Sequence, residues 1–117
     1  MASKKTPEQI EDEARRYKIA RTAVTSQEIA PLTEDPNQAI RAEAAANPHT
    51  NSTLLKVFAN DKFWGTRMEV ARHPNTTPQI LLDMLEWNHH DRGVVHQAVK
   101  ERLQREGFKF GDDGMPL

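Results

Sequence analysis

Apolar positions in this chain come in short runs at three-to-four spacing, broken by Asn, Asp, Thr and Pro. Ile10, Ala14, Tyr17 and then Ala20 or Arg21 follow one helical face. Thr6 is placed to cap that helix, Pro7 suits its first position, and Gln9 completes a capping box. Acidic Glu8, Glu11, Asp12 and Glu13 precede basic Arg15, Arg16, Lys18 and Arg21, the polarity a helix dipole favours. The pattern predicts a helix over residues 7–24 that covers the open end of a stack.

Beyond it the pattern repeats every 26 residues. Sliding the chain by that amount superposes Ser26 on Ser52, Asp35 on Asp61, Arg41 on Arg67, Glu43 on Glu69 and Ala45 on Ala71. A second slide superposes Pro48 on Pro74, Thr50 on Thr76 and Leu55 on Leu81. Such a period reads as stacked units, none of which can bury its apolar face alone. Each unit has two helical pieces. The first opens at Thr25 with Glu28 in capping-box register, at Asn51 or Ser52, and at Thr77 before Pro78. Pro31 lies inside the first of these and predicts a short or 3-10 element there. The second piece is expected to open at Asp35-Pro36, at Asp61 and, after a three-residue insertion, at Asp91, each aspartate as N-cap. Asn47-Pro48 and His73-Pro74 end these helices, because the residue before proline disfavours α geometry.

The third unit lacks such a turn. Val94, Val95, Ala98, Val99 and Leu103 run instead into a polar-faced helix ending at Gly107. The expected organisation is a disordered stretch 1–5, one domain over 6–106 (cap helix 7–24, repeats 25–48, 49–74 and 75–106), and a flexible tail 107–117. Phe108, Phe110 and Met115 in that tail would either dock as a short peptide or fold back over the last helix.

The pattern Asp-Pro, Arg, Ala-Ala-Asn-Pro, Thr and a Leu-Leu or Ile-Leu-Leu helix resembles the leucine-rich repeat variant family, from about Arg21 to Leu103. HEAT-type helical repeats are the competing resemblance. The family occurs in bacterial proteins and alternates α- with 3-10 helices in a right-handed superhelix. The resemblance therefore implies an all-α, right-handed solenoid of about three units and an interaction surface more than a reaction. The cysteine-ligated iron–sulfur domain of some members has no counterpart here, since the chain contains no cysteine.

Composition narrows the classes. With 37% hydrophobic residues and 28% charged ones, few of them aromatic, short helices packed through Leu, Ile, Val and Ala are favoured over a sheet. A net charge of -1 supplies no overall field toward nucleic acid or a membrane surface. The first residues lack an apolar signal core, and no apolar run reaches the roughly 20 residues of a membrane helix, so a cytoplasmic protein without a membrane partner is expected.

Candidate chemistry is sparse. His89, His90, Asp91 and His96 are the clustered metal-type ligands, which would make a metal-dependent hydrolase the third reading. Adjacent histidines point different ways and no fourth ligand accompanies them, so neither enzyme nor cofactor is expected. The stronger signal is where the repeat breaks its own pattern. Phe63 replaces Asn37 and faces His89 in the 26-residue register; Trp64 replaces Gln38 and faces His90. Large aromatics on a regular scaffold are interface anchors. The leading reading is a non-enzymatic adaptor or inhibitor that binds a protein through Phe63, Trp64, His89, His90, Asn37 and Gln38, with self-association through the stack ends as a further expectation. The alternative is a nucleic-acid-binding module using Arg67, Arg72, Arg92 and Arg102.

Overall fold

In the computed structural model, which describes residues 4–87 and 93–117, the helix ends fall where side-chain acceptors meet free amides. Thr6 accepts from the Gln9 amide at 3.1 Å while the Gln9 side chain accepts from the Thr6 amide at 2.8 Å, which starts α1 (Pro7–Thr22). Thr25 accepts from the Glu28 amide and starts α2 (Ser26–Ile29). Pro31 has no amide to donate, and the chain tightens there into a 3-10 helix, Ala30–Glu34. Then follow α3 (Gln38–Ala46), α4 (Ser52–Phe58), α5 (Trp64–Arg72), α6 (Pro78–Trp87) and α7 (Val94–Arg105). Asn51 caps α4, and Thr77 accepts the Ile80 amide in the first turn of α6. Among the described residues the fold is all-α, apart from one isolated bridge between Phe110 and Pro116.

Alternate helices form one row, in which α1 packs on α3, α3 on α5 and α5 on α7. Ala20, Ala44, Ala45 and Ala71 are buried along it, and their small side chains let the axes approach. Ile29, Leu55, Phe58, Leu81 and Leu85 close the core from α2, α4 and α6. The result is a slab with Cα extents of 52 × 36 × 16 Å.

α1 meets this row differently from the expected face. Glu13 bonds Asn37 at the start of α3 and the Tyr17 hydroxyl donates to Glu43, so residues before Glu13 overhang the nine-residue α3. Arg16, Tyr17 and Ala20 turn inward, whereas Ile10 is 55% exposed and Ala14 is exposed too.

The aspartates expected to cap α3 and α5 do something else. The caps are Asn37 and Phe63, two residues later. Asp35 and Asp61 accept the amides of Asn37 and Phe63 at 2.9 and 2.8 Å, forming the short Asx turns that lead into the helices. Their remaining carboxylate oxygen takes an arginine from the preceding helix. Arg16 Nε donates to Asp35 at 2.6 Å, and Arg41 forks onto Asp61 at 2.8 and 3.3 Å. Arg41 and Arg67 each return a donor to their own unit, on the carbonyls of Asp35 (2.8 Å) and Asp61 (2.7 Å). The Arg41–Asp61 side chains are only 8% and 7% exposed, so removing one partner strands a desolvated charge, at a cost of about 3–5 kcal/mol.

The proline junctions share a threonine bond at equivalent positions and differ in the donor that reaches back to the preceding turn. Thr50 Oγ1 donates to the Ala44 carbonyl and Thr76 Oγ1 to the Val70 carbonyl, both at 2.7 Å, each joining the amide of the C-cap residue, Asn47 or His73, on the same oxygen. Asn47 sends its side-chain amide back to the carbonyls of Ala20 and Ala23, each at 2.9 Å. In the next junction His73 does the same work: Nδ1 accepts the Asn75 amide at 3.0 Å, so Nε2 carries the proton and donates to the Asn47 carbonyl at 2.8 Å. At the third, Arg102 donates to the carbonyls of Ala71, His73 and Thr76 at 3.0, 2.8 and 3.1 Å. The step from Asn47 to His73 is 26 residues and from His73 to Arg102 it is 29, which accommodates the three-residue insertion. The same offsets align buried Ile40, Thr66 and Val95, buried Arg41, Arg67 and His96, and buried Ala44, Val70 and Val99.

α7 ends in a Schellman motif: the Gly107 amide bonds the Gln104 carbonyl, the Phe108 amide bonds the Leu103 carbonyl, and Gly107 adopts φ +99°. Of the two arrangements open to the C-terminal segment, the structure holds the folded-back one. Leu117 N bonds Lys109 O and Gly111 N bonds Met115 O, closing a small loop whose Phe108, Phe110 and Met115 pack on the core.

Candidate functional site

The start of α5 departs from the start of α3 although both obey one template. Asn37 is consumed by the fold: its oxygen accepts the Ala39 amide at 2.8 Å and its amide donates to Glu13 at 2.9 Å. Phe63 occupies the same cap position with a side chain that cannot cap. Its ring folds over Gly65, where a Cβ would come within 2.5 Å of the ring edge. A small residue at position 65 is therefore what seats Phe63, which is partly buried there.

Trp64 goes the other way. It is the first residue of α5, 54% exposed, with its ring centroid 5.9 Å from that of Phe63 and tilted by 59°. Val94, at the start of α7, is 61% exposed and lines the same open groove as Phe63, Trp64, Gln38, Lys62 and Arg67. Two exposed apolar side chains and a half-buried aromatic on adjacent helix starts make a contiguous patch, the kind of surface that marks an interaction site. Each is held on a rigid element, so little ordering entropy remains to be lost on binding.

The sequence reading named Phe63 and Trp64 as candidates and took Val94 for a core position of the last helix, whereas Val94 is exposed. With the 29-residue offset Val94 stands opposite Gly65 and Ala39, an outward column. The same offset corrects the proposed partners of the aromatics. Position 92 and Gly93, rather than His89 and His90, correspond to Phe63 and Trp64. His89, His90, Asp91 and Arg92 lie outside the described residues.

The cations of the nucleic-acid reading do not form one exposed strip. Arg67 is buried with its guanidinium on the Asp61 carbonyl, and Arg102 is spent on three carbonyls at the α5–α6 junction. Arg72 stays on the surface. His96 of the metal reading is buried, with Nε2 3.2 Å from the Gly114 carbonyl. No group of three metal-type ligands gathers among the described residues, and none of their helices is long and apolar enough to cross a membrane.

No family model, no curated protein and no solved structure matches this chain.

Proposed function

We propose that the chain is a non-enzymatic protein-interaction module: a short right-handed solenoid of about three units, as the leucine-rich repeat variant resemblance implies, that binds a protein partner at the α5 start. Support for the stack is the recurrence of the same side-chain-to-backbone bonds at 26-residue spacing, Thr50 with Thr76 and Arg41 with Arg67. The single observation that carries the binding reading is Trp64. It stands 54% exposed on a helix start whose counterpart, Gln38, is polar, and it is flanked by Phe63 and Val94.

An exposed tryptophan contributes little to folding here but would bury a large area against a partner, where Trp is among the side chains that dominate affinity. Its neighbours Gln38 and Lys62 supply a polar rim. The test is affinity capture with the intact chain and with Trp64→Ala and Phe63→Ala variants, each checked for helical content by circular dichroism. Loss of specific captured protein with folding retained supports the reading. Unchanged capture by both variants removes the anchor, and a gel shift that weakens steeply with salt would move the function to nucleic acid, because phosphate contacts release counterions.

A further inference from the structure

We infer that the hollow between α1, α3 and α5 beside Phe63 is a pocket for an arginine side chain of the partner protein, a reading that presupposes protein binding at the α5 start. Phe63 lines the groove of Trp64 and also, together with Tyr17, walls a second depression floored by Ala39, Ala42 and Ala46. Glu43 and Glu69 stand in that depression, both partly buried. At about 240 Å³ it falls below small-molecule pockets, which run to roughly 300–1,000 Å³, and it suits a single side chain.

The two carboxylates are unsettled by the repeat itself. Tyr17, Glu43 and Glu69 are 26 residues apart and so stand in one column across α1, α3 and α5. Between α1 and α3 that column makes a hydrogen bond, from the Tyr17 hydroxyl to Glu43 at 3.4 Å. Between α3 and α5 it sets carboxylate beside carboxylate, which opposes packing unless a cation joins them. Among the described residues no cation forms an ion pair with either. Arg21 lies over the Tyr17 ring, 5.0 Å from its centroid, and Arg72 is exposed one turn after Glu69.

The lining selects the occupant. Two carboxylates call for a cation. The Tyr17 and Phe63 rings favour a flat guanidinium, which stacks on aromatic faces and forks onto carboxylates, over a compact ammonium. Arg21 already uses the Tyr17 ring in this way. The alanine floor takes the apolar stem of an incoming arginine. Because Phe63 walls both depressions, one partner segment crossing it reaches the hollow and Trp64 together.

The test is an NMR titration of the intact ¹⁵N-labelled chain with N-acetyl-arginine amide, against N-acetyl-citrulline amide as the neutral isostere. The arginine compound is expected to give saturable shifts confined to the amides around Ala42, Glu43, Ala46 and Glu69, and the citrulline compound none. Glu43→Gln/Glu69→Gln should weaken the response by about fivefold or more with helical circular dichroism retained. Glu69→Gln alone should unfold in urea no more easily than the parent chain, since it relieves a like-charge pair; a marked loss of stability would make the carboxylate part of the scaffold and overturn the inference. Equal shifts with citrulline, equal affinity in the glutamine variant, or shifts spread over acidic residues elsewhere overturn it too. Trp64→Ala should leave the titration unchanged. An arginine response with protein capture that ignores Trp64→Ala removes the parent reading and keeps the hollow; capture that needs Trp64 without an arginine response removes the hollow and keeps the parent reading.

Discussion

α3 and α5 are each nine residues long, have their N-caps two residues after an aspartate that holds an arginine of the preceding helix in the row, and end at a junction closed by a threonine hydroxyl. They differ at their first turn. Asn37 is absorbed by the fold through a cap and a bond to Glu13 while Gln38 stays at the surface as a polar side chain, whereas Phe63-Trp64 gives up the cap and puts an indole into solvent. Positions that carry the scaffold are thus buried and repeated, and the exposed turn between them is free to carry recognition. Function is read where two copies of a template disagree without the fold requiring it.

The comparison can be broken hardest at the aspartates. Asp61→Ala leaves Arg41 buried without its carboxylate and is expected to cost about 3–5 kcal/mol in urea unfolding. Asp35→Ala should cost clearly less, because its partner Arg16 is 23% exposed and also pairs with Asp12. Equal losses would mean that the two pairs are not graded by burial.

Next come the junctions. His73→Ala removes both ring bonds and should destabilise by about 1–3 kcal/mol, since it leaves buried backbone groups unmet. His73→Asn, which installs the Asn47 solution, should recover most of that in the same unfolding measurement. A smaller effect is expected from moving the α3 start into α5. Phe63→Asn with Trp64→Gln gains a cap worth about 1 kcal/mol against the lost partial burial of Phe63, so unfolding should shift by less than about 1 kcal/mol while partner capture disappears. A large stability loss would return the aromatics to the scaffold.

The smallest effect sits at the overhanging end of α1. A hydrogen bond from Arg15 holds the Asp12 carboxyl below its ordinary value of 3.8, and one from Lys5 does the same for Glu13 below 4.5. Depressed folded values mean stabilisation that is complete above the ordinary values and lost as pH falls through the lower folded ones. Both groups are surface pairs, so the contribution is slight. Amide exchange should show the first turns of α1 losing protection below about pH 4.5 before α3 or α5 does; simultaneous loss would contradict a locally held end.

Much of this was legible from residue order. The Thr6 capping box, the Thr25 and Asn51 caps, the 3-10 turn at Pro31 and the stop at Gly107 involve groups a few residues apart, so local spacing suffices to place them. The aromatic pair was legible because a repeat supplies its own reference. Asp35 and Asp61 were misread because an Asx turn and an N-cap call for the same residue type two positions apart, and the choice depends on an arginine 19 or 20 residues earlier in the chain. The outward turn of Ile10 was misread because periodicity names a face without saying how far the neighbouring helix extends along it.

The sequence by itself determined an all-α chain with a 26-residue period, the locally specified caps at Thr6, Thr25 and Gly107, and the two positions where the period is broken, since these depend on local spacing and on comparison within the chain. Tertiary structure alone decided that Arg102 completes the series begun by Asn47 and His73, that Val94 joins Trp64 at the surface, and that the C-terminal segment lies on α7. Three chemically different side chains reach back to carbonyls of the preceding junction, Asn47 to Ala20 and Ala23, His73 to Asn47, and Arg102 to Ala71, His73 and Thr76. Only the packed helices show which carbonyls are left open and which donor reaches them.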